Sequence, residues 1–388
     1  MPDDGYASRS ARVRDSGPYE APLPARLADL ELTLPGDLAA DVADAESSLS
    51  FFDAHSAASL GTDSPALGPM SAVLLRTESA SSSQIEDLTV GAKQLALAEL
   101  HESRSANARA VVANVRTMEA ALRLASDLDL EAILSMHREL LADGSVHGDG
   151  DAGHLRNRLV WVGRTGSSPR GAVHVAPEAV DVPPAMDDLI RFIERDDLPV
   201  LLHAALAHAQ FETIHPFTDG NGRTGRALVH AMLRGKRLLR HTTAPVSAGL
   251  LTDLEGYVSA LTTFRSGDAR PVIEQFALAA RYAAQTGRGL VDDLSQVMDE
   301  SRGLLAGLRP QATAWKVLPL LIAQPIVNSA YIREELGVSA MTAQRTLDQL
   351  TAAGVLRETT GFTRNRVWQH RGILRVLDAY AQTVRRDS

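Results

Sequence analysis

His215-Pro216-Phe217-Thr218-Asp219-Gly220-Asn221-Gly222-Arg223-Thr224-Gly225-Arg226 puts an imidazole, a carboxylate, a glycine turn and two arginines within twelve residues. Pro216 ends any helix that reaches it, because it lacks an N–H and its ring clashes with the preceding turn. Gly220 and Gly222 let the backbone turn tightly. A helix follows, with Leu228, Val229, Met232 and Leu233 as its apolar stripe. Free N–H groups and the helix dipole make a glycine turn at such a helix start an anion site. Arg223 and Arg226 are three apart and share a face of the first turns. Two guanidinium forks beside exposed amides suit a polyphosphate. Asp219, among these positive groups, is placed to hold Mg²⁺ against phosphate oxygens. An unperturbed imidazole titrates near neutrality, which makes His215 a candidate general base.

The chain around this stretch has 388 residues, and its length suggests two or three domains. A net charge of −9 argues against non-specific coating of nucleic acid, which needs an excess of basic groups. A hydrophobic share of 45% is enough for a sizeable core. With Cys at 0, disulfides, thiolate nucleophiles and cysteine metal sites are excluded. The N-terminal residues carry no apolar stretch after their charges, and no apolar run approaches the ~18 residues that cross a bilayer. These features predict a soluble, cytoplasmic protein.

The pattern is helical almost throughout. Residues 1 to about 20 lack periodicity and read as a disordered tail. Pro18, Pro22 and Pro24 punctuate an extended lead-in. Leu38 to Ala125 is helical, with Val111, Val115, Met118, Ala121 and Leu122 at spacings of three and four. Leu130 to Leu141 is a further helix, with Gly144 as its end signal. Between Leu155 and Pro177, two β-like runs flank a Gly- and Ser-rich turn, which predicts a hairpin. Helices return from Pro183 to about Arg240 and from Asp253 to about Gly307. Residues 311–370 show three short helical patterns and then two β-like runs, the order of a winged helix-turn-helix. His203 and His208 are five apart and no HExxH occurs, so they carry no metal-site signature.

The twelve-residue stretch resembles the signature of the Fic family, His-Pro-Phe-x-(Asp/Glu)-Gly-Asn-Gly-Arg-x-x-Arg, at every fixed position. The resemblance extends from about Tyr19 to Ala280. It implies an all-α Fic fold with a small β-hairpin flap, and a protein adenylyltransferase that moves AMP from Mg·ATP to a Ser, Thr or Tyr hydroxyl of a target protein, releasing pyrophosphate. By the same resemblance, His215 is the base on the target hydroxyl, Phe217 anchors the loop, and Asp219 is the Mg²⁺ ligand. Gly220, Asn221 and Gly222 form the phosphate nest, with the Asn221 side chain also on phosphate. Arg223 and Arg226 hold the triphosphate, and Tyr257 borders the adenine. The 155–177 hairpin resembles the flap that pairs with a target segment, a mode that uses backbone hydrogen bonds.

Upstream, Ser82-Ser83-Gln84-Ile85-Glu86 resembles the family's inhibitory motif, (Ser/Thr)-x-x-x-Glu-(Gly/Asn). Ser82 and Glu86 would share a helical face, and the resemblance pairs Glu86 with Arg226 in place of the γ-phosphate. Asp87 departs from the Gly or Asn of the motif. The expected domains are a tail at 1–20, a helical region with the inhibitory helix at 21–130, a catalytic core at 131–285, a helical linker at 286–310 and a winged helix with a C-terminal helix at 311–388. In the last, Tyr331 to Leu336 and a second helix capped by Ser339 form the helix-turn-helix, with Ala343, Leu347 and Leu350 facing the core. Gln344 and Arg345 would face a groove, and Arg364, Asn365 and Arg366 the wing tip. DNA, another protein or a second copy of the chain would suit this module. Two other activities stay open on the sequence: a nucleotide-sensing transcription regulator, and removal of AMP from the same target.

Overall fold

The computed structural model describes residues 17–60, 67–142, 151–163, 168–359 and 366–384. In chain order its helices are α1 (Gly36–Leu60), α2 (Leu67–Ile85), α3 (Ala92–Glu99), α4 (Ala106–Arg123) and α5 (Leu130–Leu141). A hairpin of β1 (Trp161–Val162) and β2 (His174–Val175) follows, then α6 (Val182–Ile193), α7 (Val200–Ile214) and α8 (Asn221–Gly235). Next come α9 (Val246–Leu251), α10 (Leu254–Arg265) and α11 (Arg270–Leu304). The C-terminal part contains α12 (Thr313–Ala323), β3 (Ile326–Val327), α13 (Ser329–Leu336), α14 (Ala340–Ala352), β4 (Arg357–Glu358), β5 (Trp368–Gln369) and α15 (Arg371–Thr383). The protein is thus all-α apart from two small antiparallel sheets.

Helix α7 is the centre of the molecule. Its Ala- and Leu-rich sequence is apolar on all sides, and every residue from Leu201 to Ile214 is buried. A helix with no polar face must be surrounded, and α1, α6, α8, α10 and α11 pack around it. Helix boundaries follow local chemistry. Ser105 accepts a hydrogen bond from the N–H of Ala108 at 3.2 Å, Asp129 from Ala132 at 2.8 Å and Asp253 from Gly256 at 2.9 Å, each satisfying an orphan donor of a first turn. The predicted Leu130–Leu141 helix has those bounds; its end signal Gly144 lies outside the described residues. The hairpin forms where expected, with Trp161 opposite Val175 and Val162 opposite His174.

The C-terminal module packs α12, α13 and α14 with a three-stranded sheet of order β3-β5-β4, the element order expected from the sequence. Ser339 caps α14 by accepting from Thr342 at 3.2 Å, and Ala343, Leu347 and Leu350 are buried. Strand β3, two residues long, had no readable sequence pattern. The expected division at 285/286 does not match the fold. Helix α11 runs without a break across it, and one apolar core extends from Leu27 through α7 and α11 to Trp368. A 35-residue amphipathic helix serves both parts as a shared spine. The module also docks through Gln324, which donates to the Ala96 carbonyl at 2.9 Å, and through the Ser301–His370 pair at 2.9 Å. The lead-in from residue 17 lies on the body rather than free of it: Tyr19 donates to Glu178 at 3.1 Å and Leu27 N–H to Asp188 at 2.6 Å. The rest of the predicted tail, residues 1–16, lies outside the described residues. Among the described residues no helix is long and apolar enough to cross a membrane.

Candidate active site

The site is built where α7 ends and α8 begins. His215 follows the last residue of α7 in a left-handed conformation, φ 49° and ψ 62°, with its N–H on the Phe211 carbonyl at 2.8 Å. Such a conformation is uncommon for a side chain with a Cβ, and Pro216 bars the helical alternative. The His215 side chain is largely buried, which pushes its pKa down to about 4. At neutral pH the imidazole is uncharged and able to accept a proton. Its Nδ1 lies 3.7 Å from Oε2 of Glu212, one turn back on α7.

Phe217 anchors the loop as expected. It is fully buried, and its ring stacks on His137 of α5 at 3.7 Å and 4°. His137 Nδ1 accepts from Gly153 N–H at 3.0 Å, so Nε2 carries the hydrogen and donates to the Asp219 carbonyl at 3.0 Å. Gly220 caps α8 at φ 76°. A Cβ there would meet the Leu140 side chain at 2.7 Å, so both conformation and space require glycine. The side chain of Asn221 bonds within the loop: Oδ1 accepts from Phe217 N–H at 2.8 Å and Nδ2 donates to the Phe217 carbonyl at 2.9 Å. These bonds staple the turn and use one of the two Nδ2 hydrogens.

Arg223 and Arg226 are both buried beside this turn. Arg223 Nη2 lies 3.9 Å from Asp219, and its Nε is buried with no acceptor among the described residues. Arg226 makes three bonds to the end of α2: Nε to Ser82 Oγ at 2.9 Å, Nη2 to the Ser82 carbonyl at 2.8 Å, and Nη2 to Glu86 Oε1 at 2.9 Å. Burial works against the Arg226 charge, but Glu86 outweighs it and holds the guanidinium protonated. Burial likewise opposes ionisation of Glu86, and Arg226 with Arg223 keeps its carboxyl below the usual range. The Glu86 carboxylate also covers the start of α8, because a Cβ on Gly222 would come within 2.1 Å of Oε1.

The expected contact between Glu86 and Arg226 therefore forms, with one change of geometry. Helix α2 ends at Ile85, so Glu86 leaves from the turn after the helix rather than from its face. Asp87 sits at φ 60°, in the left-handed conformation that glycine and asparagine adopt most easily. The departure from the motif keeps the backbone and accepts its strain.

Tyr257 belongs to the apolar core. It is 3% exposed on α10, and its hydroxyl pairs with His208 Nε2 at 2.7 Å. It packs beneath Arg226 as core, and the expected contact with a base is corrected accordingly. His203 faces the Phe192 carbonyl at 2.8 Å. In the C-terminal module, Gln344 donates to Asp348 at 2.9 Å, and Arg366 forms a two-pronged pair with Glu358 at 2.8 and 2.6 Å while lying over Trp368. Neither is poised for a groove; Arg345 is exposed, and Arg364 and Asn365 lie outside the described residues. Sequence reasoning missed Glu212, fully enclosed between His215, Arg226 and Arg265. Burial raises its pKa to about 7 although Arg226 opposes. Its only signal was that it is the single carboxylate of α7.

Comparison with known proteins adds the following. Residues 127–233 match the model of the Fic/DOC family. A protein adenylyltransferase, fic-1, of Caenorhabditis briggsae is 29% identical over 210 residues, 51% of this chain and 36% of its own length. The fic-1 of Caenorhabditis elegans is 32% identical over 173 residues, 41% of this chain and 30% of its own length. This chain's matched part thus spans about a third of those relatives. Among solved structures, a Fic family protein from Desulfovibrio desulfuricans G20 superposes with a TM-score of 0.52 at 23% identity, covering 91% of this chain and 99% of that one. A C. elegans Fic-1 structure gives 0.50 at 19% identity, covering 66% and 73%. These two share the fold.

Proposed function

Because the chain belongs to the Fic/DOC family through residues 127–233, we propose that it is a protein adenylyltransferase using ATP and held back by Glu86. The observation that carries this reading is the convergence, at the start of α8, of a neutral buried His215, the Gly220–Gly222 turn and two buried arginines, one already gripping a carboxylate. A group that binds Glu86 in that position is suited to a phosphate.

In the reaction, a Ser, Thr or Tyr hydroxyl of a target protein docked on the hairpin attacks the α-phosphorus of ATP. The new O–P bond forms as the bond to pyrophosphate breaks, and the hydroxyl proton passes to His215. The amides of the Gly220–Gly222 turn and the guanidinium groups of Arg223 and Arg226 bind the phosphates and pyrophosphate. Asp219 is the residue that would hold Mg²⁺. Among the described residues no group of three His, Cys, Asp or Glu side chains could enclose a metal, so the one carboxylate fits an ion that takes most of its ligands from phosphate and water. That ion would neutralise phosphate charge. In the resting state Glu86 occupies the second arginine and the space above Gly222, so ATP binds weakly or in an unproductive pose.

The test is labelling with α-labelled ATP. Glu86→Gly should label itself and target proteins more strongly than the natural chain. Adding His215→Ala should cut labelling by roughly 10²–10⁴-fold and leave ATP binding in place. Equal labelling with and without His215 would refute the mechanism.

A further inference from the structure

Four consecutive carbonyls at the end of α7 are taken by residues from the two stems of the hairpin. Thr213 O accepts from His174 Nε2 at 3.1 Å, Ile214 O from Arg156 Nη2 at 3.3 Å, His215 O from Arg156 Nε at 2.8 Å, and Pro216 O from Arg156 N–H at 2.9 Å. The first two belong to the last turn of α7, whose carbonyls lack intrahelical donors, and the other two to the cap and the loop that follow. The same guanidinium also reaches both stems of the hairpin. Nη1 donates to Arg158 O at 2.9 Å, before β1, and Nη2 to Pro177 O at 2.7 Å, after β2. Arg156 is 4% exposed and, among the described residues, no carboxylate reaches it at ion-pair distance, although Glu178 supports its charge from farther off. Burying a cation without a carboxylate is costly. If packing were the only need, an apolar side chain would serve better. What Arg156 supplies is a planar fork of five donors in fixed directions, which makes four bonds here, set against the negative end of the α7 dipole.

We infer that Arg156 is a positioning residue that ties the target-docking hairpin to the backbone of His215, so that docking surface and base move as one unit. The inference rests on the adenylyltransfer reading for its meaning in catalysis. The hairpin sets where an incoming hydroxyl lies, and His215 sits in a conformation its sequence does not favour. One side chain bridging both fixes the distance between hydroxyl and base. A lysine keeps the charge but, with one nitrogen, cannot span carbonyls from three segments of chain.

The experiment compares Glu86→Gly with Glu86→Gly/Arg156→Lys and Glu86→Gly/Arg156→Ala, using α-labelled ATP as donor and the chain itself as acceptor. The KM for ATP should stay close to that of Glu86→Gly, while the saturated labelling rate falls, by roughly 10²-fold for Ala as for other small misplacements of reacting groups. Added guanidinium should restore part of the rate of the Ala variant and none of the rate of a His215→Ala variant. Amide hydrogen exchange should speed up together in 159–163, 172–177 and 213–217. Should the Ala variant fail to fold, the Lys variant decides. A Lys variant labelling at the Glu86→Gly rate, or faster exchange in the hairpin with 213–217 unchanged, overturns the inference. If Glu86→Gly itself does not label, the transferase reading fails, and the exchange data still judge the coupling.

Discussion

Glu86→Gln isolates the charge of the inhibitory contact from its shape. Glutamine keeps an oxygen to face Arg226 Nη2, where Glu86 Oε1 now lies at 2.9 Å. Ser82 still accepts two bonds from the same guanidinium, so Arg226 should stay oriented. A hydrogen bond to a charged group contributes about 1.5–3 kcal/mol, and a neutral one about 1 kcal/mol. The Glu86 side chain is 40% exposed, against 3% for Arg226, which places the pair at the low end, near ~1.5 kcal/mol. At about 1.4 kcal/mol per tenfold change, Glu86→Gly should tighten ATP binding about tenfold. Glu86→Gln should fall between it and the natural chain. Calorimetric titration with ATP measures all three, and added salt should narrow the differences, since a partly exposed pair is screened. Equal affinities for the three proteins would show that Glu86 does not compete with nucleotide. ATP binding by Gln no tighter than by the natural chain, with Gly tighter than both, would show that shape, not charge, is what matters.

Gly249 on α9 faces α11 so closely that a Cβ would lie 2.4 Å from both Cα and O of Ala279. Backbone cannot give way as a flexible side chain can, so Gly249→Ala should lose about 1–3 kcal/mol; an unchanged midpoint in thermal unfolding would contradict the close approach. Stability should also depend on pH. Burial lowers the pKa of His174 and His208 to about 3 and of His203 and His370 to about 4, while the unfolded chain binds these protons near pH ~6.5. The unfolded state therefore holds more protons below that pH, and stability falls on acidification by up to about 1.4 kcal/mol per pH unit for each histidine. Glu212, raised to about 7, works the other way, stabilising at low pH and losing that contribution as pH rises towards 7. With His137 and His215 also lowered to about 4, six histidines against Glu212 and the raised Glu99 predict a melting temperature that drops from pH 6.5 to 4; a flat profile would refute the reading.

The sequence by itself determined the features that rest on neighbours along the chain. The proline that stops α7, the glycines of the turn, the caps Ser105, Asp129, Asp253 and Ser339, the 3.6-residue stripes and the alternating hairpin are all short-range patterns. Turn geometry and helix caps depend on three or four consecutive residues, so the family signature and the helix order could be read directly. The Glu86–Arg226 pair spans 140 residues, and it was legible only through the resemblance of the two motifs. Tertiary structure alone decided the rest. It turned Asn221 inward to Phe217, buried Tyr257 against His208, carried α11 through an expected boundary and formed β3 from two residues. It also gave Arg156 four carbonyls from three segments. Each of these depends on which distant atoms a donor, an acceptor or an apolar face meets after packing. A polar side chain bonds to what surrounds it, and only the folded chain sets those surroundings.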